Sequence, residues 1–194
     1  MRILSFLILS LILSSCAGTR PGYPGIDFSS YPKDWPGLSE QVVADEYCYE
    51  IESTFLSRGQ SNSTLSDWFE NPIYERNSLG KHEIASKNNF FSVRSDAQKK
   101  ILNIDVFDTN GNLLASGLHK QFDRCENGWF VQESFITGGS GDNPVRSTYG
   151  TMVYGLAQDG SLLIYSYQEV VSGKFLVGSE TKESSIWFKY QVQE

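Results

Sequence analysis

Three short pairs, Asn110-Gly111, Asn127-Gly128 and Asp159-Gly160, each separate two runs rich in strand-forming residues. Asn-Gly and Asp-Gly supply the φ > 0 residues of tight hairpins, and alternating apolar runs around them are the strongest short-range hairpin signal. "ILNIDVF" shows the alternation most cleanly: Leu102, Ile104 and Val106 point one way, Asn103 and Asp105 the other. "LLASGLHKQF" follows the first turn, "WFVQESFI" the second and "SLLIYSYQEVV" the third. "FFSVR", "STYGTMVYGL", "KFLVG" and "SIWFKYQV" complete the series, with Ser172-Gly173 read as a further turn. "YCYEIESTF" opens it, with Tyr47, Tyr49, Ile51 and Phe55 on one face and Cys48, Glu50, Glu52 and Thr54 on the other. The expectation is an all-β antiparallel meander of about eight strands. Closure into a barrel removes its edges most simply, and a two-sheet sandwich is the alternative.

One segment breaks the period of two. In "TLSDWFE", Leu65, Trp68 and Phe69 share a helical face, Thr64 and Asp67 fit a capping box, and Pro72 stops extension. This predicts one short helix laid on the core. A polar loop follows, to about Asn89.

The N-terminus is of another kind. Arg2 is the only charge before residue 20, and residues 3–13 are apolar apart from Ser5 and Ser10. That run is shorter than the roughly 20 residues a permanent bilayer span requires. A basic start, a short apolar stretch and then small residues make a secretory signal. Here it ends Leu13-Ser14-Ser15-Cys16 rather than in an A-x-A-like site. A plain signal peptide or a buried apolar N-terminus are the other readings.

The Leu-Ser-Ser-Cys ending resembles the lipobox of bacterial lipoproteins. The resemblance implies a diacylglycerol thioether on the Cys16 sulfur, cleavage after residue 15 and, usually, acylation of the freed amine. One chain gives marginal anchoring, whereas two or three hold a soluble body on a membrane. By the same family's sorting rule, Ala17 in place of aspartate implies delivery to the outer membrane. The strand region in turn resembles small β-rich bacterial lipoproteins through "LSDWF", "DTNGNLLASG", "CENGWF" and "DGSLLI". These motifs are mostly turn chemistry; they imply a shared architecture and no activity.

Residues 1–15 are thus expected to be a leader, 16–37 a lipidated, Pro-rich tether, and 38–194 a single β-domain. The tether holds Pro21, Pro24, Pro32 and Pro36, but also Tyr23, Ile26, Phe28, Tyr31 and Trp35, so docking as a strap is its alternative. Cys48 and Cys125 remain once Cys16 is lipidated. In an oxidising envelope an even pair suggests a disulfide, with two separate thiols as the alternative.

The net charge is −7, without basic clusters, which excludes a phosphate-neutralising nucleic-acid binder. The membrane contact would run through acyl chains on Cys16. His82 and His119 have no partners at metal-ligand spacing, so no metal or cofactor is expected. "GGSGDNP", residues 138–144, has Asp142 where a nucleophile elbow needs its last glycine. Glu50 and Glu52, after Asp45 and Glu46, lie on one predicted strand face, where solvated carboxylates are the ordinary case. No catalytic residue is assigned. The leading reading is a non-catalytic binding or assembly module of the cell envelope with an envelope protein as partner, which predicts an exposed apolar patch around Trp35 or Trp187. The second is a lipocalin-like carrier, whose hydrophobic ligand would sit in a cavity lined by aromatics such as Tyr165 and Tyr167. The G-x-W motif expected near a lipocalin N-terminus is absent, since "KDWPG" lacks the preceding glycine.

Overall fold

The computed structural model of the chain describes residues 24–39, 47–59, 65–68, 88–138, 145–174 and 178–193. Among them are nine strands: β1 (Glu52–Leu56), β2 (Phe90–Asp96), β3 (Ile101–Phe107), β4 (Leu113–Gln121), β5 (Arg124–Glu126), β6 (Trp129–Gly138), β7 (Val145–Leu156), β8 (Leu162–Lys174) and β9 (Gly178–Tyr190). They form two antiparallel sheets, β1-β2-β3-β4 and β5-β6-β7-β8-β9. A single helical turn, Leu65–Trp68, stands where the short helix is expected. Thr64, its expected cap, lies outside the described residues.

The meander is all-β but does not close into a barrel. Between β4 and β5 the chain runs on from one sheet to the other instead of turning back. Phe122 N donates to Lys100 O beside the first sheet, and Asp123 N donates to Val131 O in the second. β4 therefore pairs only with β3, and β5 only with β6. At the opposite corner the sheets touch through one bridge, Phe55 to Val192, flanked by Leu56 N to Gln191 O and Gln193 N to Thr54 O. The result is two layers facing each other, and the barrel expectation gives way to the sandwich-like one.

Between the layers sits the main core. Phe55, Phe91, Val93, Leu102, Ile104, Val106 and Leu118 come from the first sheet; Phe130, Tyr154, Leu162, Ile164, Phe188 and Tyr190 come from the second. The alternation read in "ILNIDVF" holds: Leu102, Ile104 and Val106 are all buried. The β3–β4 register shifts between Ile104 and Phe107, so β4 bulges at Ser116-Gly117 and Gly117 N reaches the Asp105 carboxylate.

The turns differ in kind. Asn127 and Gly128 both have positive φ (51° and 85°), the two-residue hairpin turn between β5 and β6. At the other two pairs only Gly111 and Gly160 do; Asp108 N to Asn112 O and Ala157 N to Ser161 O close longer loops there. Ser172-Gly173 is not a turn: β8 continues through it, paired with Glu180 and Ser179 of β9.

"YCYEIESTF" is a strand only from Glu52. Cys48 and Ile51 enter the inter-sheet core, whereas Tyr49 packs on the opposite face of the second sheet. The expected common face of Tyr49 and Ile51 is thereby lost. Its physical cause is long-range: Tyr49 N donates to Gly128 O in the second sheet, and Ile51 exchanges hydrogen bonds with Ser95 in the first.

The Cys48 and Cys125 sulfurs lie at bonding distance, with Cα atoms 5.0 Å apart. This joins the segment before β1 to β5 across 77 residues. Loop-closure entropy for such a span corresponds to at most about 4–5 kcal/mol. Replacing both cysteines by serine is expected to lower the unfolding free energy by up to that amount in urea denaturation; an unchanged midpoint would contradict a bridge that constrains the unfolded chain.

Candidate functional site

The second sheet is apolar on both faces. Away from the inter-sheet core, Trp129, Val131, Val153, Leu163, Tyr165, Tyr167 and Trp187 make a second buried cluster, and Tyr49 joins them. Register explains the grouping: Val131, Val153, Tyr165 and Trp187 are successive cross-strand partners across β6, β7, β8 and β9. On this row lies the chain's own N-terminal segment, residues 24–39. Ile26, Tyr31, Trp35 and Leu38 pack against it. Tyr31 meets Trp187 edge-on at 5.0 Å and Trp35 at 5.7 Å, while Phe28 sits 6.3 Å from Trp129 and 6.2 Å from Trp187.

Polar contacts fix the strap's position. Trp187 Nε1 donates to Ser30 Oγ at 3.0 Å, and Tyr31 OH to Pro36 O at 2.6 Å. Ser39 N donates to Leu156 O and Gln158 N to Gly37 O, around the Leu38–Ala157 bridge. Asp27 caps the 3-10 turn Phe28–Ser30 through Ser29 N. The groove is aromatic, and the proline-bearing segment that fills it turns at Phe28–Ser30 and again at Pro32–Trp35. Here its occupant is in cis. The described part of the expected tether is thus the strap alternative.

Gly155 makes the groove possible. A Cβ there would overlap the Trp129 ring, which lies flat over the glycine.

A second constellation lies between the sheets. The bulge at Ser116-Gly117 puts Leu118, Lys120 and Phe122 on the inward side of β4, so a lysine enters the core at 7% exposure. Lys120 Nζ donates to the Trp68 carbonyl and to Tyr154 OH at 2.5 Å. Trp68 Nε1 donates to Tyr190 OH, and its ring lies 4.4 Å from Phe188. One helical turn thereby ties both sheets together. Burial pushes the Lys120 ammonium down to about 7. Burial also holds the Tyr154 hydroxyl well above the usual phenol range, with Tyr190 adding to it. Sequence reasoning missed this knot. The signal was the alternation Leu118-x-Lys120-x-Phe122, which aligns a lysine with two core residues.

The other expected residues do not converge. Glu50 is exposed, and Glu52 makes an exposed ion pair with Arg94 at 3.2 Å, so they share no cleft. His119 is exposed on β4. Cys16, Asp45, Glu46, His82 and residues 139–144 lie outside the described residues. Among the described residues no cluster of His, Cys, Asp and Glu has metal-binding geometry, and no helix is long and apolar enough to cross a membrane. Trp187 is 5% exposed and Trp35 half-buried, so neither of these two tryptophans forms an exposed apolar surface itself. Among the described residues the large exposed apolar side chains are Phe28, beside Trp187, and Tyr47, Leu113, Phe135, Ile136 and Ile186. Tyr165 and Tyr167 lie in the strap-side cluster, outside the inter-sheet space. Comparison with protein-family models, with curated proteins and with solved structures finds no match.

Two outcomes are expected. Gly155→Ala should destabilise by about 1–3 kcal/mol, as overpacking does, and shift tryptophan emission as Trp129 leaves the groove; wild-type emission and melting temperature would refute the packing. Lys120 has a folded value near 7 against 10.5 unfolded. Between these values unfolding takes up a proton, so stability rises with pH. Wild type should gain about 1.4 kcal/mol of stability per pH unit relative to Lys120→Met from pH 7.5 to 9.5. Denaturation at several pH values checks this, and a flat difference would refute it.

Proposed function

We propose that this chain is a lipid-anchored cell-envelope protein acting as a non-catalytic binding or assembly module. The observation that carries this reading is the docked strap. Residues 17–23 alone separate Cys16 from the first described residue, Pro24. Fully extended, that interval spans at most roughly 29 Å. An acylated Cys16 would hold the β-domain close to one membrane face, the outer membrane by the Ala17 rule. Such a placement suits a protein that presents surfaces to envelope partners, with the anchor raising its local concentration.

The carrier reading draws less support. Phe55, Phe91, Phe130, Tyr154 and Tyr190 occupy the space between the sheets, and the groove on the other face already holds the strap. The buried Lys120–Tyr154 pair has the chemistry of an acid–base couple, but it is enclosed by core residues and supports the fold better than it supports turnover.

Intact-mass analysis of protein extracted from membranes tests the anchor. The mature chain is expected to begin at Cys16, with a diacylglyceryl thioether and an acylated amine, and Cys16→Ala to lack both. An unmodified Cys16, or a retained leader, would overturn the reading.

A further inference from the structure

The long strands β6–β9 run on beyond the two buried clusters, and among the described residues much of their far ends is exposed. Residues 179–186 of β9 are all exposed. On β6, Phe135 is 55% and Ile136 66% exposed, on opposite faces. β5 pairs with Trp129–Val131 alone, so the outer edge of β6 beyond that point has no strand beside it among the described residues. The hydrogen bonds show which groups face outward. Asp123 N reaches Val131 O, and the Asp123 carboxylate accepts from Glu133 N at 2.7 Å. With the period of two, the backbone N–H and C=O of Phe135 come next on that edge.

A free edge invites another strand, and natural sheets blunt such edges with charge, bulges or shortness. Three other edges here are treated so. β9 carries Glu180, Lys182 and Glu183; β4 is bulged at Ser116-Gly117; β5 is three residues long. Residues 134–138, "SFITG", carry no charge and no proline.

We propose that this β6 edge pairs antiparallel with the same edge of a second copy of the chain. Three features favour a copy over a foreign strand. An uncharged segment related by a two-fold axis opposes no like charges. Phe135 already stacks on Tyr149 at 4.4 Å, so the two-fold continues an aromatic row across the seam. Ile136 stands on the other face and gives that face an apolar contact as well. A five-residue edge is smaller than the roughly 1,600 Å² of a standard stable interface. The pairing therefore rests on the anchoring proposed above, which confines copies to one surface.

Single cysteines at Ser134, Phe135 and Ile136 in the full-length protein, oxidised mildly in intact cells, test this. A disulfide-linked homodimer is expected from at least one of them, and none from Thr181→Cys on the β9 edge. Adding Phe135→Lys to the Ser134 or Ile136 cysteine variant should reduce the dimer roughly tenfold, a loss of about 1.4 kcal/mol, at an unchanged melting temperature. No dimer from membrane-associated protein, a crosslink to a different protein, or a yield insensitive to Phe135→Lys would each overturn the pairing. Membrane fractionation of the same cells reads the anchor separately: dimer without membrane association would overturn the anchoring and keep the pairing.

Discussion

A sheet with large apolar side chains on both faces has to be covered twice. The five-stranded sheet places Phe130, Tyr154, Ile164 and Phe188 on one side and Val131, Val153, Tyr165 and Trp187 on the other. The four-stranded sheet covers only the first side. Left bare, the second would expose a contiguous apolar patch of the kind soluble proteins avoid. The strap, residues 24–39, is the cover the chain supplies. Its proline content suits the task, because a segment with fixed φ loses less freedom on docking than an ordinary chain. Its C-terminal end is held by backbone hydrogen bonds around Leu38, while its N-terminal end relies on rings and on Ser30.

The inter-sheet core follows a different logic. Apolar packing is tolerant of which residue meets which, but a buried amine that has to donate hydrogen bonds is not. Lys120 needs acceptors at fixed positions, and the Trp68 carbonyl and the Tyr154 hydroxyl are two of them. Trp68 reaches on to Tyr190. The helical turn, β4, β7 and β9 are thereby set in one mutual arrangement. Cys48–Cys125 does similar work at the edge, joining the segment before β1 to β5.

The sequence made the strands legible where both neighbours obeyed the period of two. "ILNIDVF" and the runs after the glycine turns are strands, because side-chain alternation and turn chemistry are local properties. Three features were not local. The crossing from β4 to β5 has no sequence mark of its own; Phe122 simply ends the run "LLASGLHKQF", and only the partners of Phe122 and Asp123, Lys100 and Val131, show that the chain changes sheets. The segment at Tyr49 alternates correctly on paper yet sends Tyr49 and Ile51 to different clusters, since its hydrogen bonds go to Gly128 and Ser95, far along the chain. Lys120 was obscured by the bulge one turn of the pleat earlier, which decides whether a lysine in β4 faces solvent or core. The aromatic residues singled out in the sequence, Trp35, Tyr165, Tyr167 and Trp187, do meet in one place, but as a groove the chain fills itself.

That self-filling divides the large sheet into two halves with different chemistry. Near β5 the strands are covered on both faces and carry the tryptophans, tyrosines and leucines. Beyond Met152 and Ser166 the rows turn to Ser134, Gly150, Gln168 and Ser184, then to Thr148 and Val170. Rows of that composition contribute little to a core. Strands of 10–13 residues are longer than the 5–6 typical of globular domains, and the far rows bury less: Thr151, Tyr167 and Glu169 are covered, while Ser184 and Ile136 are exposed. The cost of ordering that backbone is offset there chiefly by ladder hydrogen bonds and cross-strand pairs such as Phe135–Tyr149. Charges on β9 keep one border of the extension from aggregating. The other border lacks them over Ser134–Gly138, and that is where the proposed pairing would place the second copy.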